Sequence, residues 1–120
     1  MSGDALELEV VVPDGLVLHE DGVDVVVLRR REPRFDRGSE IAVFPLHGPM
    51  LVRLAVAPTR YRKGGVTVHL ALGGGFAEVL HDRVRVVTPR CERIAGSAPD
   101  PPASAEAACQ AWRGHEGSLT

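Results

Sequence analysis

The chain has 120 residues, enough for one domain and little more, and its 14 Lys+Arg against 16 Asp+Glu leave a formal net charge of −2. With 44% hydrophobic and 25% charged residues, the composition excludes a wholly disordered or collagen-like chain. Apolar runs such as Val25-Val26-Val27-Leu28 fall far below the roughly 20 residues of a spanning helix, and the acidic start Met1-Ser2-Gly3-Asp4 predicts no signal peptide.

In chain order, the first two thirds read as short strands, because apolar residues recur with period two and Gly, Pro and Asp punctuate them. Leu6, Leu8, Val10 and Val12 alternate, and Pro13-Asp14-Gly15 supplies a turn before Leu16 to Leu18, which predicts a first hairpin. Val23 to Leu28 predicts the next strand, followed by a polar loop through Arg37-Gly38-Ser39. Ile41 to Phe44 predicts another, which Pro45 stops for want of an N–H. Leu51 to Val56 is extended. Tyr61 to Leu72 predicts a hairpin, with Gly64-Gly65 free to adopt the positive φ of a tight turn and Val66, Val68, Leu70 and Leu72 on one face. Phe76 to Leu80 and Arg83 to Thr88 flank His81-Asp82 in the same way. Many short strands at close spacing predict an all-β sandwich or barrel.

Composition changes after Pro89. Residues 95–105, AGSAPDPPASA, hold three prolines and no large apolar side chain, so a flexible linker is expected there. Beyond it, Glu106 to Trp112 is long enough for a brief helix of about two turns, marginal on its own, with frayed residues from 114 to 120. The expected division is a β-sandwich domain over residues 1–90 and a linker with a short tail over 91–120. Charge is also uneven. Residues 1–28 hold seven acids and no base, whereas residues 29–63 hold nine bases against three acids, a polarity that either steers a partner or cancels within the fold.

Few residues suggest chemistry. Gly73-Gly74-Gly75 lacks the Lys-Ser/Thr pair and following helix of a phosphate loop, so it reads as close backbone approach or a bulge within a sheet. The five histidines, His19, His47, His69, His81 and His115, share no metal-ligand spacing, and Cys91 and Cys109 form no CxxC pair and read as reduced thiols. No metal, cofactor or catalytic residue is expected. His47, in Pro45-Leu46-His47-Gly48-Pro49, stands in a loop stiffened by paired prolines, as loop structure or contact surface. Arg29-Arg30-Arg31 with Arg34 and Arg37 has one aromatic, Phe35, and interrupting acids, so a solvated loop is favoured over nucleic-acid binding. No GxSxG elbow supports a hydrolase, and Trp112 reads as a packing residue.

Four segments carry a resemblance. Leu8-Glu9-Val10-Val11-Val12-Pro13, then Glu40 through Leu51 (EIAVFPLHGPML), then Gly74-Gly75-Phe76-Ala77-Glu78-Val79, then Val84-Arg85-Val86-Val87 resemble the epsilon subunit of the rotary F-type ATP synthase over about residues 6–89. The resemblance implies a flattened antiparallel β-sandwich and a non-catalytic place in the central stalk, with the gamma subunit and the c ring as partners, on the cytoplasmic face of the cell membrane. By position it implies a c-ring-facing group of Glu40, Pro45, His47 and Pro49. It also implies gamma-contact or sandwich-face candidates Val68, Leu70, Gly74, Gly75, Phe76 and Glu78. A second, paralogous F-type ion-pumping ATPase, or a free β-sandwich binding module using the basic Arg29 to Arg37 segment, are the alternatives.

Departures from the family pattern are Leu46 and Gly48 where Gly and Ala are usual, Ala42 where Gly is common, and the longer, more basic Arg29 to Arg37. The short tail has neither a pair of helices nor the family nucleotide motif. Autoinhibition of the hairpin type and ATP sensing are therefore expected to be absent.

Overall fold

The computed structural model describes residues 4–118, and within them eight strands and one helix. The first hairpin pairs β1 (Leu6–Val12) with β2 (Gly15–Val23), the latter much longer than its apolar start suggests. β3 (Val25–Glu32) and β4 (Phe35–Val43) form a second hairpin. The expected polar loop through Arg37-Gly38-Ser39 is thus part of a strand. Its ladder carries a register shift, and Gly38 takes φ 70° where a Cβ would collide with the Arg30 carbonyl.

β5 (Met50–Lys63) and β6 (Val66–Leu80) make a hairpin of 14 and 15 residues, paired in constant register from Met50↔Val79 to Lys63↔Val66. Its turn is Gly64-Gly65, both at positive φ, as expected. β7 (Arg83–Val87) follows the His81-Asp82 turn, and β8 (Cys91–Arg93) is a short strand with no clear alternation in the sequence. The order is β2-β1-β7-β6-β5-β3-β4, with β8 also on β6. β1 and β7 run parallel, the single parallel ladder among the described strands.

One continuous sheet makes a sandwich because β6 changes neighbour along its length. Leu70–Leu72 pairs with β8 and Phe76–Leu80 pairs with β7. The change falls at Gly73-Gly74-Gly75, where Gly74 and Gly75 sit at φ 87° and 100° and a Cβ on Gly75 would enter the Val87 carbonyl oxygen. The close-approach reading of the glycine run therefore holds, and the phosphate-loop reading has no helix to follow it. Between the layers lie Leu6, Leu8, Val10, Val26, Leu28, Leu70, Leu72, Val79, Val84 and Tyr61, all essentially inaccessible. Of the face expected to be apolar, Leu70 and Leu72 are buried, Val68 is half-buried and Val66 is exposed.

The tail differs from expectation. α1 runs Pro101–Ser118 and so takes in five residues expected to be linker. Asp100 caps it, its Oδ1 accepting the Ala103 amide at 3.2 Å, and Pro101 occupies the first turn, where its missing N–H costs nothing. Alanines at 103, 105, 107, 108 and 111 favour helix, and Ala105 and Cys109 are fully buried where α1 packs on β5 and β6. The Arg113 Nε donates to the Val56 carbonyl at 2.6 Å while its two terminal nitrogens hold Glu106 at 3.0 and 3.3 Å, and Arg90 stacks over Trp112 at 5.2 Å. Burial raises the Cys91 and Cys109 thiols to about 11, so both are protonated at neutral pH. Of the expected frayed end, the helix reaches Ser118 and residues 119–120 lie outside the described residues.

Gly75→Ala combines strained φ with a backbone collision. It should destabilise the fold by about 2–4 kcal/mol in urea unfolding, and an unchanged midpoint would refute the close approach of β6 and β7.

Candidate functional site

Two exposed apolar surfaces meet on one rigid body. The first is the loop 44–49. Phe44 and Leu46 are exposed, Leu46 at 74%, and Leu46 holds φ 68°, a conformation that non-glycine residues rarely adopt. Its amide donates to Asp82 Oδ1 at 2.6 Å, and the Glu7 amide donates to the Asp82 carbonyl at 2.8 Å. The loop is thereby fastened to the β6–β7 turn, whose own residues His81 and Asp82 both take positive φ. Within the loop the His47 amide donates to the Phe44 carbonyl at 3.2 Å, and His47 Nδ1 donates to the Gly48 carbonyl at 2.7 Å. Because a carbonyl only accepts, this contact places a proton on Nδ1. Pro45 and His47 are half-buried and Pro49 is exposed.

The second surface is the outer face of β5, β6, β7, β1 and β2. Cross-strand pairing places Phe76 opposite Val87, Val87 opposite Val11 and Val11 opposite Leu16, so an apolar row crosses four strands. Phe76 and Val87 are each 50% exposed and Leu16 is 58% exposed. A charged ladder lies beside it: Glu78 is opposite Arg85, whose Nε donates to Glu9 at 3.2 Å, while Arg83 donates to Glu7 at 3.2 Å. His19 completes the ladder at 2.7 Å from Glu7. Opposite charges on adjacent strands fix the register of this face and give it polar edges.

The expected site residues are not gathered in one place. Glu40 lies on β4 and its carboxylate is held by Arg60 at 3.1 Å and Arg29 at 3.7 Å, away from the loop it was grouped with. Among the face candidates, Leu70 and Gly74 are buried, Val68 and Gly75 are half-buried, and Phe76 and Glu78 are exposed. Sequence reading missed the roles of Asp82 and of Val87, Val11 and Leu16. The alternation of β1 sets Val11 on the face opposite Leu8 and Val10, but pairing β1 with β7 requires a contact across more than 70 residues of sequence. It also missed that Glu7, His19 and Asp21 bring ligand atoms within 4.8 Å of one another. Arg83 already occupies Glu7 there. The acidic first segment and the basic second one cancel directly at Glu20–Lys63, 3.0 Å, while Glu7 and Glu9 turn to β7 instead.

The family described as ATP synthase, delta/epsilon chain, beta-sandwich domain matches residues 5–94. The chain belongs to this family. It is 42% identical over 89 residues to the ATP synthase epsilon chain of Nitratidesulfovibrio vulgaris strain DP4, a match covering 74% of this chain and 61% of that relative. It is 40% identical over 87 residues to the ATP synthase epsilon chain of Syntrophobacter fumaroxidans, covering 72% and 60%. The family member thus spans about three fifths of the length of these relatives. Its fold is shared with a chain of the mitochondrial ATP synthase of Euglena gracilis, solved as OSCP, F1 and c-ring, at TM-score 0.68 and 19% identity over 100% of this chain and 84% of that one. A chain of the Tetrahymena thermophila mitochondrial ATP synthase central stalk and c-ring matches at TM-score 0.61 and 14% identity, covering 97% and 93%.

Two predictions test the geometry. Asp82→Ala should cost about 1 kcal/mol and speed hydrogen exchange at the Leu46 amide about fivefold or more; unchanged exchange would mean that Asp82 does not hold the loop. The hydrogen bond that His19 donates to Glu7 raises the His19 pKa above the ordinary 6.5, whereas burial, and then Arg60, lower that of His69. In a proton-resolved titration, His19 should therefore have its midpoint above 6.5 and His69 below it. The His19–Glu7 contribution is present below the unfolded-state histidine pKa and is lost as pH rises through the raised value.

Proposed function

We propose that the chain is the epsilon subunit of an F-type ATP synthase, a non-catalytic part of the central stalk that binds the gamma subunit and the c ring and couples ion-driven rotation to ATP synthesis or hydrolysis. The observation that carries this reading is the pair of exposed apolar surfaces on one sandwich: a loop clamped by Asp82 at one end, and the Phe76–Val87–Val11–Leu16 row on an outer face. A part that transmits torque needs two contacts that do not move relative to each other. The β5–β6 hairpin and the Leu46–Asp82 bond supply that rigidity.

In this reading the end carrying Pro45, His47 and Pro49, with Phe44 and Leu46, faces the c ring. Phe76 and Glu78, with Leu51, Val87 and Leu16, face the gamma subunit, and Gly74 and Gly75 shape β6 behind them. Glu40, held by two arginines, braces β4. No helix among the described residues is long and apolar enough to cross a membrane, and the chain associates with the cytoplasmic face of the cell membrane through its complex. The sandwich over residues 1–90 makes the contacts and 91–120 forms the strap of β8 and α1. The family match over residues 5–94 favours this reading over a free polyanion-binding module.

Co-expression with the gamma subunit of the same organism should yield a one-to-one complex on size exclusion, and separate elution would overturn the assignment. Phe76→Asp should weaken that complex by about 2 kcal/mol or more. Leu46→Asp should leave it intact while reducing retention on c-ring-containing membranes. Equal effects of both variants on gamma binding would refute the division into two surfaces.

A further inference from the structure

Where α1 begins, the sheet face under it forms a cavity of about 320 Å³. Arg29 of β3, Arg37 of β4, Arg60 of β5 and His69 of β6 line it, with Pro102 and Glu106 of α1 as part of the roof. The register accounts for the convergence: Arg29 pairs with Glu40 across the β3–β4 ladder, and Arg60 is directly opposite His69 across the β5–β6 ladder.

Charge at this point is unbalanced. Glu40 serves both Arg29 and Arg60, at 3.7 and 3.1 Å. Glu106 serves both Arg37, at 3.4 Å, and Arg113, at 3.0 Å. Four guanidinium groups therefore share two carboxylates. Asp100, which caps α1, adds a third carboxylate near His69, so the four guanidinium groups still exceed the acids. Like charges on neighbouring strands repel. Guanidinium forks match a tetrahedral oxyanion in two-point contact, and an imidazole N–H adds a donor of the same kind.

We propose that this cavity binds a phosphate-class oxyanion, held by Arg29, Arg37 and Arg60 with His69. The anion supplies the counter-charge that Glu40 and Glu106 divide among too many partners. It also links α1 to β3, β4 and β5, so occupancy tightens the strap on the sandwich.

The test uses the full chain with inorganic phosphate as probe, against chloride at matched ionic strength. Titration calorimetry should give single-site binding, and phosphate should raise the melting temperature while chloride does not. Arg37→Gln changes a side chain that is 65% exposed, so folding should survive, and affinity should fall about tenfold, the loss of one charge-assisted contact. Arg31→Gln, outside the cavity, should leave the affinity unchanged. No binding, or equal losses in the Arg37 and Arg31 variants, would overturn the proposal. ADP and ATP in parallel separate the sources. Affinity at least tenfold above that of phosphate assigns the site to the phosphates of a nucleotide, and the expectation of no ATP sensing then falls. Parity assigns it to free phosphate.

Discussion

Everything else in this structure depends on one hairpin that serves both layers. β5 and β6 remain in register over their whole length while the partner of β6 changes from β8 to β7 at Gly73-Gly74-Gly75. Only residues without a Cβ allow this, because Gly75 lies against the Val87 carbonyl and Gly74 and Gly75 take positive φ. The change of neighbour brings Leu70 and Leu72 against the same core as Ala77 and Val79. The hydrophobic effect then holds the layers together with no disulfide among the described residues.

Function follows from what that hairpin leaves outside. On the outer face the alternation of β6 turns Phe76, Glu78 and Leu80 outward while Ala77 and Val79 face the core. The parallel pairing of β1 with β7 extends the exposed row to Val11 and Leu16. At the end of the sandwich the His81-Asp82 turn presents a carboxylate to the Leu46 amide, so a loop of six residues is tied by a bond to a distant strand junction. A family membership established over residues 5–94 makes these two surfaces the natural candidates for contact.

The basic segment in which the chain departs from the family pattern is also the one that meets the helix. The β3–β4 hairpin carries Arg29 and Arg37 to the start of α1, where Arg37 reaches Glu106. α1 in turn buries Ala105 and Cys109 and hangs Arg113 on the Val56 carbonyl. An isolated helix of this composition would be marginal, and packing on β5 and β6 stabilises it.

Local chemistry in the sequence determined a good deal by itself. Alternation placed β1 and β7, Gly64-Gly65 and His81-Asp82 marked the β5–β6 and β6–β7 turns, and the glycine run read correctly as close approach, because each signal acts within a few residues. The motifs around Pro45 to Pro49 and Gly74 to Val79 pointed to the family on order and spacing. Other features were decided by tertiary structure alone. Asp100-Pro101 is a helix start, yet the surrounding prolines and small residues read as linker until burial of Ala105 and Cys109 against the sheet offset their ordering entropy. The Arg29 to Arg37 segment read as loop because its charges hide the strand period, and only ladder hydrogen bonds with β4 and β5 make it extended. Glu40's partners, the Asp82 clamp and the apolar row all join residues distant in sequence. Their geometry comes from strand register, which the hydrophobic core selects and no local pattern encodes.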